Sequence, residues 1–249
     1  MTINLENNLY NLAQGQSIAM QLVPFSASPK CFWAPNFEAE PVRMGDWVGS
    51  VNQGAPVNFY NVRLNPHGNG THTECVGHIS HEPYRIYECL KTYIHQALLI
   101  SITPETLPNG DKIITRKLLE ASCQALTTQH LKALIVRTLP NTETKQHLDY
   151  SGSNPCYFEP AACQWLAQIN VEHLLVDLPS VDREEDAGAL AAHKAYWQYP
   201  SSDVRVHCTI TELIYVPDFI ADGHYALSLQ IAPFGLDAAP SNPVLYPPV

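Results

Sequence analysis

Residues 67 to 78 read HGNGTHTECVGH. They hold three of the chain's 11 histidines together with a glutamate, and His81 follows three positions later. Imidazole nitrogens and carboxylate oxygens are good ligands for borderline divalent cations such as Zn²⁺ or Mn²⁺. If residues 72–78 are extended, side chains alternate faces, so His72, Glu74 and His78 point one way and Cys75 the other. Gly68, Asn69 and Gly70 can take the left-handed backbone conformations needed to fold His67 back to the same point. The alternative is a polar turn whose imidazoles only hydrogen-bond. The density of donors favours a cation. Cys75 reads as a small buried hydrophobe and Thr71 as a residue serving the turn.

A second polar set lies downstream: Asp177, Asp182 and His193, then His207 and Glu212. His193 falls within a mostly apolar helical stretch, where a lone histidine is usually a satisfied core residue. Glu212 falls within a β-rich apolar run, where an unpaired carboxylate is costly to bury. A metal would satisfy both, and an arginine would equally satisfy Glu212. Asp182, Glu184, Glu185 and Asp186 read as a solvated loop.

The elements that must position these groups follow from hydrophobic periodicity. Strand-like runs cover 57–64, 97–103, 133–138, 173–178, 207–216 and 224–233. Helical spacing covers 115–126, 159–169 and 188–197, with Glu159-Pro160 as a helix start. The order 133–138, helix, 173–178 is the pattern of a crossover unit between parallel strands. Segments 26–56 and 232–249 are rich in proline and irregular, suited to wrapping or lining something. The expectation is one α/β domain over residues 1–249 with a substantial sheet.

Bulk composition sets outer bounds. At 249 residues, 45% hydrophobic and 15% charged, the chain can bury a proper core. A formal net charge of -10 with only 14 Lys and Arg argues against nucleic acid or an anionic membrane as partner. The N-terminal stretch lacks a basic start and a continuous apolar run, so no secretory signal is expected. No window approaches the roughly 20 apolar residues of a membrane span. Seven cysteines without a C-x-x-C pair fit reduced thiols, and the expected location is the cytoplasm.

The ordered motifs resemble the cyclase-family metal-dependent hydrolases, the group that includes bacterial kynurenine formamidase and isatin hydrolase. HGNGTHTECVGH matches the family pattern H-x-G-T-H-x-D-x-P-x-H in order. PSVDREEDAGALAAHKAYW and TITELIYVPD match a later block, and ALIVRT and YALSLQIAPFGLDAAPSNPVLYP fit the rest, over roughly residues 57–249. The resemblance implies a layered sandwich of mixed β-sheets with helices on one side. It implies His67, His72 and Glu74 as first metal ligands, His193 and Glu212 as ligands of a second position, and His78 as the catalytic acid/base. It further implies one or two Zn or Mn ions, and a homodimer or higher homo-oligomer. The chemistry implied is attack of a metal-activated water on the amide carbonyl of a small aromatic formamide such as N-formylkynurenine. A cyclic amide such as isatin, another small amide, and a non-catalytic metal-binding role are the alternatives. An aromatic substrate wants an aromatic wall, and Trp33 is the first candidate among Phe32, Trp33, Phe37, Trp47 and Phe59. Three departures stand out: His67 and His72 are five apart rather than four, Glu74 replaces aspartate, and Cys75-Val76-Gly77 replaces a stretch that usually holds proline.

Overall fold

The structure is a computed structural model that describes residues 1–24, 28–124 and 131–249. Its centre is a mixed sheet whose barrel has seven strands, β1 (His72–Glu74), β2 (Ile94–Ile102), β3 (Ala133–Thr138), β4 (His173–Val176), β5 (Thr209–Glu212), β6 (Gly223–Ile231) and β7 (Ala238–Tyr246), with the two-residue strand Gln16–Ser17 added as an eighth alongside β7. The hydrogen-bonded order is β6-β2-β3-β4-β5-β1-β7, and β6 also pairs with β7. That last pairing closes the sheet into a barrel, and full closure removes both edges. The layered sandwich expected from the resemblance is therefore corrected to a closed seven-strand barrel with helices outside it. Strands β2 to β5 run parallel and the remaining pairs antiparallel.

Alternation along the strands divides the apolar residues between two cores. Leu99, Ile135, Leu175, Leu227 and Leu245 come from strands all round the barrel and meet inside it. Leu98, Leu134, Leu174 and Ile210, offset by one residue, face outward and pack under three helices. These are α1 (Arg116–Gln124), α2 (Pro160–Gln168) and α3 (Ala191–Trp197). The expected crossover is present, with α2 linking β3 to its parallel neighbour β4. Pro160 sits in the first turn of α2, where a missing N–H costs nothing. Residues 125–126 of the expected first helix lie outside the described residues.

Two expected segments take other roles. Of 57–64, only Tyr60–Arg63 is a strand, and it pairs with Glu38–Pro41 in a separate two-stranded ribbon. The proline-rich C-terminal segment, expected to be irregular, supplies the nine-residue β7. Its prolines fit because they are used as acceptors: Pro240 O takes Ala232 N–H and Pro243 O takes Ile18 N–H. Among the described residues, no helix is long and apolar enough to cross a membrane.

Candidate metal centre

Strands β1 and β5 are antiparallel, with His72 opposite Glu212 and Glu74 opposite Ile210. Residues directly opposite share a face, so His72, Glu74 and Glu212 project outward beside Ile210. Thr73 and Thr211 turn inward and share a hydrogen bond of 2.8 Å. On most of the outer wall such positions hold Leu, Ile or Val. Here they hold two carboxylates and an imidazole, all buried. Helix α3 covers them and contributes His193, also buried.

His67 reaches the cluster through the glycine loop. A Cβ on Gly68 would meet Ala34 Cβ at 2.3 Å, and Gly70 has φ +66°, a left-handed conformation. Asn69, the extra residue of the loop, is buried and anchored. Its Nδ2 donates to Pro35 O (2.9 Å), and its Oδ1 accepts from Asn65 N (2.8 Å). Thr71 serves the turn as expected, accepting from Met20 N–H and donating to Leu213 O.

The extended reading of 72–78 holds only to Glu74. Val76–His78 is a 3₁₀ turn, closed by His78 N–H donating to Cys75 O at 3.0 Å. The turn is crowded at Gly77, where a Cβ would lie 2.2 Å from Tyr84 O. His78 nevertheless returns to the cluster, its Nδ1 3.8 Å from Glu74 Oε2. It stands at the rim, with 30% of its side chain exposed. Cys75 is buried on the opposite face, with Ile86, Cys89 and Ala239.

Glu74 is the hub. Its Oε2 lies 3.1 Å from His67 Nδ1, and its Oε1 lies 3.1 Å from His193 Nε2. Glu212 Oε2 is 3.4 Å from His72 Nε2, and its Oε1 is 3.9 Å from His193 Nε2. Among the described residues these histidines, not an arginine, are the ion-pair partners of Glu212. Ligand atoms converge in two groups that share Glu74: His67, Glu74 and His78, and His72, Glu74 and Glu212. The six residues singled out in the sequence as ligands or acid/base are thus brought together.

Two further carboxylates complete the site. Asp182, expected in a solvated loop, is instead buried. It accepts from Ala192 N (2.7 Å) and His193 N (3.2 Å) at the start of α3, and its Oδ2 lies 2.5 Å from His193 Nδ1. The free N–H groups of a helix start attract a carboxylate, and that attraction draws Asp182 in from the loop. Asp237 was not singled out in the sequence. Its Oδ2 lies 2.7 Å from His67 Nε2 and 3.5 Å from His78 Nδ1. A lone aspartate in an irregular, proline-rich segment carries no periodic signal. Asp177 sits apart, paired with Lys145 at 2.7 Å, and His207 is exposed.

The electrostatics describe a site built around positive charge. Burial pulls the His67 pKa down, but its contacts with Asp237 and Glu74 outweigh this and raise it to about 10. Burial likewise acts against His193, and its contacts with Asp182, Glu74 and Glu212 raise it to about 10. Burial pushes Glu74 up, yet His78, His193 and His67 hold it well below the ordinary carboxylate range. Without a metal, protonated imidazoles supply the missing positive charge.

The donor set fits a divalent cation. His72 Nε2 and Glu74 Oε2 are both buried and lack a hydrogen-bond partner, although each has an opposing ligand atom within 3.4 Å. A polar atom left so costs about 1–3 kcal/mol. Two orphaned ligand atoms in one cluster, between buried carboxylates, are what a cation would satisfy. Mixed N/O donors suit Zn or Mn better than a hard ion that prefers oxygen alone.

The aromatic candidates separate. Residues 31–34 are strapped to the histidine loop, with Cys31 N donating to Gly68 O (3.1 Å) and Cys31 Sγ to His67 O (3.3 Å). Phe32 and Trp33 both have positive φ, and Trp33 is 65% exposed. Its N–H is held by Ser151 Oγ at 2.9 Å. Phe37 instead lines a cavity of about 800 Å³ beside the Glu38–Pro41 ribbon. That cavity contains none of the clustered ligands, and the chemistry of the donors outweighs its size. Trp47 and Phe59 pack on each other, their ring centroids 6.4 Å apart.

Comparison with known proteins agrees with the fold. The fold is similar to an isatin hydrolase solved with the product analogue thioisatinate, with a TM-score of 0.69 at 14% identity over 95% of this chain and 94% of that one. Isatin hydrolase A from Ralstonia solanacearum gives a TM-score of 0.67 at 15% identity, covering 94% of this chain and 91% of that one. A predicted metal-dependent hydrolase from Bacillus stearothermophilus gives 0.62 at 14% identity, covering 94% and 98%. The family model described as "Putative cyclase" matches residues 10–183, well over half the chain and including the whole histidine motif. The chain belongs to the cyclase family.

Proposed function

We propose that the protein is a metal-dependent amidohydrolase acting on a small aromatic formamide such as N-formylkynurenine. The observation that carries this reading is the convergence of His67, His72, Glu74, His193 and Glu212, with buried ligand atoms left unpartnered on His72 and Glu74. Together these residues would hold one or two Zn or Mn ions, with Glu74 shared between the His67 side of the cluster and the His72–Glu212 side, and His193 against Glu74. A divalent ion held there supplies Lewis-acid polarisation of an amide carbonyl and activation of a water.

The chain's own residues do the rest. Glu74 would be shared between the two positions, since its carboxylate meets His67 from one oxygen and His193 from the other. His78 stands at the rim, in reach of both the cluster and solvent, and passes a proton to the leaving nitrogen. A purely structural metal site has no use for such an additional base. Trp33, exposed and held in a left-handed backbone conformation beside the His67 loop, is the aromatic wall. An aryl amine is a better leaving group than an alkyl one, which suits a site with a single imidazole as acid.

Cyclic aryl amides form a second reading, favoured by the similarity to proteins described as isatin hydrolases. Assay of the Zn- and Mn-loaded protein against N-formylkynurenine and isatin separates the two. Turnover of the first supports the leading reading, and turnover of isatin alone replaces it. Metal uptake without turnover of either points to another amide or to a non-catalytic binding role. The same proposal takes residues 1–249 as one hydrolase domain that works in the cytoplasm as a homodimer or larger homo-oligomer, to be checked by mass measurement in solution.

A further inference from the structure

Asp237 enters the site from the connection between β6 and β7, and its backbone is fixed there. Its carbonyl accepts Cys75 N–H at 3.0 Å, and the preceding Leu236 carbonyl accepts Ile86 N–H at 2.8 Å. The approach depends on Gly77. A Cβ at that position would meet Tyr84 O at 2.2 Å and Asp237 Cβ at 3.1 Å. The absence of a side chain at Gly77 therefore has a structural use: it lets Asp237 close on the two histidines at the rim.

The two nitrogens of His67 face opposite carboxylates. Nε2 lies 2.7 Å from Asp237 Oδ2, aligned as a hydrogen bond. Nδ1 lies 3.1 Å from Glu74 Oε2, which has no hydrogen-bond partner. Of the two contacts only the one at Nε2 is aligned as a hydrogen bond, so when an ion takes up the Nδ1 lone pair the remaining proton is kept on Nε2 by Asp237. The same Asp237 oxygen also faces His78 Nδ1 at an ion-pair distance of 3.5 Å. Because Asp237 and Glu74 sit at opposite edges of the His67 ring, Asp237 is not itself a ligand of an ion held between His67 and Glu74.

We propose that Asp237 is a positioning residue for both rings: it accepts from His67 Nε2, turning His67 Nδ1 to the ion, and its charge faces His78 Nδ1, biasing that ring to offer Nε2 to the substrate. This rests on the reading of the cluster as a metal site. Carboxylates placed behind metal-bound histidines fix ring orientation and ligand basicity in this way.

The test uses the full-length wild type, Asp237→Asn and Asp237→Ala, each stripped and titrated with Zn²⁺ against a competing chelator. Long-range ¹⁵N–¹H NMR of the histidine rings is recorded on the zinc-loaded proteins. In the wild type, His67 is expected to carry its proton on Nε2 with Nδ1 on zinc. Asp237→Ala is expected to lower zinc affinity about 10- to 100-fold and to lower kcat with KM little changed. Asp237→Asn keeps an acceptor oxygen and should recover much of both. A merely structural aspartate would lower the melting temperature without moving the ring proton. Wild-type His67 bound through Nε2, or Asp237→Ala with wild-type affinity, overturns the proposal, and the NMR result needs no variant to fold. A wild type that takes up no zinc overturns the metal-site reading first. Zinc uptake by the wild type with unchanged variants removes only the role of Asp237.

Discussion

Asp182 Oδ2 stands 2.5 Å from His193 Nδ1, so the His193 ring presents Nε2 to Glu74 and Glu212. One carboxylate thereby caps the start of α3 and aims its histidine. Removing it should be felt twice. Asp182→Ala is expected to destabilise the fold by about 1–3 kcal/mol, the cost of leaving a buried donor unmet. It should also weaken metal binding about 10- to 100-fold through loss of ring orientation. Urea unfolding and metal titration measure the two effects, and a loss of stability with unchanged affinity would confine Asp182 to capping.

Glu74→Asp keeps the charge but shortens the side chain by one methylene. Because Glu74 now touches His67 and His193 from opposite oxygens, the shorter acid should lose one of them. Metal content per chain and turnover should both fall. Unchanged values for both would mean that the longer acid is tolerated rather than used.

His78→Ala should keep the metal and abolish turnover, because the ring stands at the rim and is needed for its proton. Elemental analysis beside an activity assay decides the matter. Loss of metal together with activity would make His78 a ligand, a role that its convergence with His67 and Glu74 also permits geometrically.

Protonation and metal should compete. In the metal-free protein, His67 and His193 are raised from 6.5 to about 10. Their charged contacts stabilise the metal-free fold fully below about pH 6.5 and are lost as pH rises through about 10. A cation must displace these protons, so its apparent affinity should climb with pH across that window. Calorimetry of Zn²⁺ binding at pH 7.5 in buffers of different ionisation heat should report release of about two protons. Binding without proton release would contradict the assignment of these rings.

The site was more legible than the fold. His67, His72, Glu74 and His78 announce themselves by residue type and spacing, and a carboxylate in an apolar strand marks Glu212. Asp182 misled because its neighbours Glu184 and Glu185 look solvated, and its partners are N–H groups ten and eleven residues on. Asp237 was silent because its contact with His67 spans 170 residues. The crossover from β3 through α2 to β4 was readable, since local periodicity dictates it. Barrel closure was not, because it depends on β7 pairing with β1 and β6 in a segment whose prolines read as irregular.

The most direct test of the account is the metal content of the protein purified without added metal and again after reconstitution with Zn²⁺ or Mn²⁺, set against Glu74→Ala treated identically. The account predicts one or two ions per wild-type chain after reconstitution and a large loss in the folded variant, since Glu74 joins both ligand groups. A wild type that holds neither ion after reconstitution would contradict it.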